Sequence, residues 1–479
     1  MTSGIEGEVP SSHDVRWDSG SFRDPAGQIF IFEGRILRAI RSTFAEAWSE
    51  FSSSAVFQEL QQAGLMIRSA PPRDFRRLPP FIAEGSCAVI EHERIPFVSY
   101  PYEWSFGMLK DAALLHLDIL EKTLKHDFIL KDASAYNVQF RGSTPVFVDV
   151  LSFTRLAPGE PWLGYHQFCE MFLCPLMLQS YKQIPFQSWL RSELEGLDVV
   201  QFSRLLGVRD LLRPGVLTHI RLQAWMEERL ASSRQSIRQK IKTTGFSKSA
   251  IANNLRGLRR LLHKLNPQGG SAWTDYVQTR SYTDTAVKQK EEFVRQVLQG
   301  RRWRLVWDLG CNIGDFSRLA SDHADYVVAL DADHHCIERF YQSLRQKGQQ
   351  NILPLVMNLA NLSPDQGWGG RERQSLRARG KPELTLCLAL VHHMAITCNV
   401  PIPAFLGWLA ELGTSVIIEF IAKEDPMVQR LLLNKDDTYG DYNRAAFEQH
   451  LARLFRVEKS VALTGGTRFL YFAVPWAGS

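Results

Sequence analysis

Asp308 closes an apolar strand, and a glycine turn follows at once in the run Val306-Trp-Asp308-Leu-Gly310-Cys-Asn312-Ile-Gly314-Asp-Phe316. That order suits a nucleoside ligand. Gly310 and Gly314 let the backbone pass where a Cβ would collide, with Asn312 between them. The helix that follows offers free N–H groups at its start. The dinucleotide fingerprint G-x-G-x-x-G is not met, because its middle and last glycines are missing. An acid just before the first glycine can instead order water or a hydrogen bond near the ammonium of a methionine moiety. The ligand this points to is S-adenosylmethionine. A second acid, Asp331, ends the strand VVALD 21 residues after Gly310. A carboxylate there can accept both ribose hydroxyls, and a βαβ unit imposes such an interval. Asn358, at the end of the third strand, can donate an amide hydrogen bond toward the adenine. Asp333 is read as the cap of the next helix.

Methyl transfer from a sulfonium is an in-line displacement, so the protein positions the acceptor and removes its proton where needed. Open α/β sheets bind ligands at the carboxyl ends of their strands. His392 and His393, after the fourth strand, and Glu419, in the fifth, stand there as candidate catalytic groups. A histidine would serve as general base for a hydroxyl acceptor. The plainer reading packs one histidine beside the cofactor, leaves the other as a strand cap, and makes Glu419 a helix cap. The loop Asp436-Asp-Thr-Tyr439-Gly-Asp-Tyr442 is read as a lid or an ordinary surface turn. The acids and histidines do not gather at metal-ligand spacing, which argues against metal-dependent methyl transfer.

A second constellation lies upstream, in Leu130-Lys131-Asp132-Ala-Ser-Ala-Tyr136-Asn137 and Val146-Phe-Val148-Asp149. An Asp, an Asn five residues on, a hairpin, and a strand ending in Asp follow the layout of a kinase catalytic loop. Asp132 would take the acceptor proton, while Asn137 and Asp149 would hold magnesium on the phosphates of ATP. The departures are a missing glycine-rich phosphate loop near Gln28–Ile40, Arg38 as the nearest stand-in for the nucleotide-binding lysine, and Leu151 where the magnesium triplet has glycine. A kinase-like scaffold without phosphotransfer, serving to bind the acceptor or a partner, is the alternative.

These groups need elements to hold them. The 479 residues carry a formal charge of +5, with 45% hydrophobic and 22% charged residues. Such a composition is that of a folded, multi-domain chain. No apolar run is long enough to span a bilayer, and the N-terminus lacks a signal pattern. Seven scattered cysteines without a CxxC pair read as reduced thiols in a cytoplasmic protein. Between Gln201 and Gly270, fourteen Lys/Arg against three Asp/Glu give a local charge of +11. Two amphipathic helices there present a cationic face, either simply solvated or a platform for an anionic partner. The missing aromatic interleaving argues against nucleic acid.

The α/β pattern divides as follows. Residues 1–20 are expected to be disordered, 21–235 to form an α+β kinase-like domain, and 236–270 a basic helical connector. Residues 271–479 are expected to form a doubly wound, Rossmann-like sheet closed by a β-hairpin.

The runs DLGCNIGDFS, ALDAD, LALVHHM, IIEF, DDTYGDYN and GGTRFLYF make the C-terminal part resemble a class I S-adenosylmethionine-dependent methyltransferase. Together with SFRDPAGQIF, IPFVSYPYEWSFGMLKDAALLHL, LKDASAYNVQF and GEPWLGYHQFC, they are similar to the bacterial NoeA-type nodulation methyltransferase family over most of the chain. The resemblance implies methylation of a small molecule or saccharide. It also implies that Tyr276, Tyr282 and Lys290 line the cofactor pocket, and that Asn358 replaces a usual Asp. The rival readings are a bifunctional enzyme similar to the kinase–methyltransferases that terminate O-antigen chains, and a non-catalytic cofactor-binding partner module.

Overall fold

The computed structural model describes residues 15–74, 78–79, 81–82, 85–231, 247–267, 269–270, 284–433, 435 and 438–476. The N-terminal part opens with a sheet whose strands are β1 (Val15–Trp17), β2 (Gly27–Phe32), β3 (Arg35–Arg41), β4 (Ser69–Ala70) and β5 (Ser86–His92). They lie in the order β1-β2-β3-β5-β4, antiparallel throughout. The β2–β3 hairpin turns at Glu33 and Gly34, whose φ values of 51° and 75° give the positive-φ pair such tight turns require. Two helices, α1 (Ala45–Ser52) and α2 (Ala55–Gln62), follow β3.

One expectation is corrected here. Val15–Trp17 pairs with Phe30–Phe32, so the disorder expected for residues 1–20 fails for this stretch. Residues 1–14 lie outside the described residues.

Helix α3 (Phe106–Lys125) is the axis of this half. Ser105 caps it by accepting from the Met108 N–H, and fourteen of its twenty residues are buried. Against it lie β6 (Phe128–Leu130), the hairpin β7 (Val138–Arg141) with β8 (Thr144–Phe147), and β9 (Phe153–Arg155), which pairs with β6. Helices α4 (Cys174–Lys182), α5 (Val199–Leu205), α6 (Leu222–Ala231) and α7 (Lys248–Lys264) complete the half. Ile251, Leu255, Leu258 and Leu262 of α7 recur at helical spacing and are buried against α3. The described part of the expected connector is therefore a packed helix.

The C-terminal half follows α8 (Asp284–Leu298). Its strands are β10 (Trp303–Leu309), β11 (Ala324–Asp331), β12 (Ile352–Val356), β13 (Leu384–Cys387), β14 (Ser415–Ile421), β15 (Phe455–Ala462) and β16 (Arg468–Pro475). They run β12-β11-β10-β13-β14-β16-β15, with five parallel strands and β16 inserted antiparallel beside β14. Every residue of β14 is buried, as a parallel strand covered on both faces must be. Strand order reverses between β10 and β13, and the crevice at their carboxyl ends is where such sheets take ligands. The intervening helices are α9 (Asp315–Ser321), α10 (His334–Lys347), α11 (Ile402–Glu411), α12 (Pro426–Leu432) and α13 (Arg444–Leu454).

The halves share one apolar core. Tyr341 donates to Asp111, while Glu338 accepts from Ser105 and the Gly107 N–H. The segment between β12 and β13 reaches across, and Arg379 pairs with Glu103 at 2.5 Å, both side chains 1% exposed.

Candidate active site

The first turn after β10 carries the tightest geometry. Gly310, Asn312 and Gly314 all have positive φ, 74°, 51° and 83°. A Cβ on Gly314 would run into the Phe340 ring of α10, so two separate causes require glycine there. The turn swings the chain toward β11, where Asp331 ends the strand. Asp331 Oδ2 accepts from the Asn312 N–H at 2.8 Å, and Oδ1 from the Asp333 N–H at 2.8 Å. Both oxygens are thereby fixed, and each keeps lone pairs for a ligand. Burial pushes the Asp331 carboxyl up, while the backbone N–H bonds oppose that shift. Asp333 caps α10 through the His335 and Cys336 N–H groups, as read from the sequence.

Asp308 is 2% exposed and accepts from Ser317 Oγ at 2.6 Å. Burial lifts its carboxyl to about 7, against the Ser317 hydrogen bond.

Asp308, Gly310, Asn312 and Asp331 border a cavity of about 350 Å³, together with Lys290, Asn358 and His393, whereas Gly314 does not reach its lining. Asp308, Asp315, Asp331 and Asp333 supply the acidic part of the lining. Met357, Leu359, Leu388, Leu390 and Met394 supply apolar side chains, following β12 and β13 on either flank of the acids of β10 and β11. Asn358 Oδ1 accepts from the Ala360 N–H at 2.9 Å, which leaves its amide N–H₂ available. Tyr276 and Tyr282 lie outside the described residues.

The structure separates the candidate catalytic groups. His393 borders the cavity, whereas His392 and Glu419 do not. His392 is 2% exposed; burial, with the charges of His393, Arg468 and Lys290, holds it well below its usual range. Burial also lowers His393, by disfavouring the charged imidazolium. Glu419 is fully buried behind the cavity wall. It accepts from Lys290 Nζ at 2.6 Å and from the Ala389 N–H at 2.7 Å, with Arg468 Nη1 3.5 Å from its other oxygen. Burial would push Glu419 up, but the Lys290 and Arg468 charges outweigh it and hold it below its ordinary value.

Arg468 was missed in the sequence, although a lone cation at the head of the apolar run RFLYFAV signals a buried partner. That partner is Asp425, at 2.8 Å. Tyr442, read as part of a lid, is 1% exposed and donates to the Ile421 carbonyl at 2.6 Å; it is a core residue.

Upstream, Asp132, Asn137 and Asp149 do come together. Asn137 Nδ2 donates to Asp132 Oδ1 at 3.0 Å. Ser152 Oγ lies 3.0 Å from that oxygen and 2.6 Å from Asp149 Oδ2. Arg38 on β3 donates to Asp149 Oδ1 at 2.7 Å and lies 3.3 Å from Asp24. Burial would raise Asp149, but Arg38 and Ser152 bring it below its ordinary value. Burial and the Asp149 charge lift Asp132 to about 6. A second cavity of about 350 Å³ lies nearby, walled by Ile29, Ile31, Ile36 and Val148 and roofed by Arg373 and Arg379. Among the described residues, no group of three or more His, Cys, Asp or Glu side chains is arranged to hold a metal ion.

The strand order with its antiparallel β16, and the turn with two acids at the switch point, define the class I methyltransferase fold for the C-terminal half. No family model matches the sequence. The chain is 37% identical over 460 residues to nodulation protein NoeA of Rhizobium meliloti (strain 1021), covering 95% of each, and it belongs to the NoeA family. Among solved structures it is similar to the N-methyltransferase NodS from Bradyrhizobium japonicum WM9, at 13% identity and a TM-score of 0.30, covering 40% of this chain and 98% of that one. It is also similar to the bifunctional kinase-methyltransferase WbdD, at 18% identity and a TM-score of 0.30, covering 42% of this chain and 41% of that one.

Proposed function

We propose that the chain is an S-adenosylmethionine-dependent methyltransferase acting on a small-molecule or saccharide acceptor. The observation that supports this best is Asp331, its two oxygens fixed by backbone N–H groups at a cavity whose lining divides between acidic and apolar side chains. A ligand with a flat base, a vicinal diol and a cationic head fits that division of chemistry. The positive-φ turn at Gly310 keeps the backbone close to the cavity, as a cradle for such a ligand requires. Bound there, S-adenosylmethionine supplies an electrophilic methyl group on a sulfonium.

Asp331 would hold the ribose hydroxyls, and Asp308 the ammonium side of the methionine moiety. Asn358 would donate toward the base, and its neighbours Met357 and Leu359 would exclude water around it. Lys290, tied to Glu419, shapes the wall. His393, which borders the cavity, would take a proton from an acceptor, and burial lowers its pKa. Titration calorimetry with S-adenosylmethionine tests the site. Binding that falls at least tenfold in Asp331→Ala supports it, and binding unchanged in that variant sinks it. Incubation with labelled cofactor and cell extract, followed by mass spectrometry, would identify the acceptor.

A second reading, ATP- and magnesium-dependent phosphotransfer, is favoured by the way Asp132, Asn137 and Asp149 come together around Ser152, although none of the three lines the second cavity. Against it, Arg38 already neutralises Asp149, and a divalent cation there would meet the guanidinium. The cluster suits a kinase-like scaffold that has lost its metal better than a working phosphotransferase. Magnesium-dependent ATP binding abolished by Asp149→Ala would reverse that preference.

A further inference from the structure

The described residues include eighteen exposed large apolar side chains, and seven of them fall between residues 205 and 226. Val208 is 82% exposed and Leu212 is 91% exposed. Leu217, Leu222, Trp225 and Met226 continue the surface. On α6, Leu222, Trp225, Met226 and Arg229 recur at i, i+3, i+4 and i+7, which places them on one face. Ala224 on the other face of α6, and Val216 and Ile220 in the turn before it, are buried in the core. The outer apolar row is thus surplus to folding, and contiguous exposed rows of this kind mark interaction surfaces.

Cations surround it. Arg209 and Arg213 share the loop with Val208 and Leu212, and Arg229 lies 4.5 Å over the Trp225 ring. Gly215 packs against Leu261 of α7, the helix that carries the exposed Arg256, Arg260 and Lys264. The acids present are matched within the chain: Asp210 by Lys182 and Arg213, Glu227 by His166, and Glu228 by Arg204. No described helix is long and apolar enough to cross a membrane.

We propose that this face docks on an anionic phospholipid surface, with Leu212, Leu217 and Trp225 entering the headgroup layer and the arginines around them meeting lipid phosphates. Apolar side chains with Trp on one face and cations at its edge are the composition of an interfacial helix. Each basic residue near an anionic leaflet adds attraction that salt screens. A second copy of the chain fits poorly, because the same cations would face each other across a twofold axis. A nucleic acid would use the arginines but leave the leucines without a counterpart.

Vesicle flotation of the full-length protein tests this, using phosphatidylcholine with and without phosphatidylglycerol. Flotation with phosphatidylglycerol vesicles alone is expected, weakened by salt and by Arg256→Glu/Arg260→Glu by about tenfold, the scale set by a few screened basic contacts. Leu212→Glu/Trp225→Glu should abolish it while leaving the urea midpoint and cofactor binding unchanged. No flotation, equal flotation on both vesicle types, or flotation that survives the apolar double variant would overturn the proposal. So would concentration-dependent dimerisation lost in Trp225→Glu, which would give the face to a second copy.

Discussion

Lys290 Nζ lies 2.6 Å from Glu419 Oε2, and the two side chains are 3% and 0% exposed. This pair ties α8, which precedes the sheet, to the fifth parallel strand beneath the cavity wall. It also changes the role read for Glu419: a carboxylate already shared by Lys290, the Ala389 N–H and Arg468 is a positioning group.

Breaking the pair leaves a buried charge without compensation, so Glu419→Gln should destabilise the fold by about 3–5 kcal/mol. Lys290→Met should cost less, because Arg468 remains beside the carboxylate. The double variant should recover part of the Glu419→Gln loss. Urea unfolding of the three variants measures this, and additive losses would show that the charges do not act as a pair.

Gly314 and Gly348 separate strain from collision. Both have positive φ, 83° and 64°, but only Gly314 has Phe340 where a Cβ would go. Gly348→Ala should cost about 1 kcal/mol from backbone strain alone. Gly314→Ala should cost at least about 3 kcal/mol, since Phe340 must also move. Equal losses would mean that the turn relaxes without disturbing the core.

The turn, the second acid and the alternation of strands were legible because they are local. Asp308 to Gly314 is seven consecutive residues, and Asp331 follows at the spacing one βαβ unit requires. The rest depends on what meets what in space. Glu419 lies inside β14 rather than at its end, held by the Ala389 N–H and by Lys290, 30 and 129 positions away, and His392 lies on a helical turn five residues past β13. Strand β5 escaped notice because SCAVIEH mixes polar and apolar residues without alternation, and its place is set by pairing with β3. Tyr442 reads as polar in its loop, but one carbonyl, that of Ile421, lets it be buried. The Arg38–Asp149 contact spans 111 positions and is invisible to any local pattern.

The Glu103–Arg379 pair predicts how the halves unfold. Both side chains are 1% exposed, and Glu103 also accepts from Ser363 Oγ at 2.6 Å. With a core shared across the boundary, calorimetric melting should show one transition. Glu103→Gln leaves Arg379 buried and unpaired, so the transition should fall by several degrees or split in two. Two transitions in the unaltered protein would show that the halves melt independently.

Asp308 predicts a pH dependence of cofactor binding. Its carboxyl is lifted to about 7 by burial, so near neutrality a fraction carries a proton. A cationic ammonium favours the ionised form, and binding must expel that proton below pH 7. Affinity for S-adenosylmethionine should therefore rise with pH up to about 7 and level off above it. Below that point the loss approaches tenfold per pH unit. Asp308→Asn should bind more weakly and lose this dependence, as calorimetry across the range would show. A slope that persists in the variant would assign the titration to another group.

Acid stability follows from the buried histidines. Burial lowers His92 and His116 to about 3, and both are under 8% exposed. The unfolded chain takes up protons on these rings below about 6.5, whereas the folded chain does not until about 3. The unfolded state thus binds more protons throughout that window, and stability must fall as pH falls through it. Between pH 6.5 and 5 each ring contributes a loss of about 2 kcal/mol, at 1.36 kcal/mol per unit. Urea midpoints measured at pH 7, 6 and 5 should drop accordingly, and His116→Leu should show a shallower slope than the unaltered protein. An identical slope in that variant would mean that His116 is not held neutral by its surroundings.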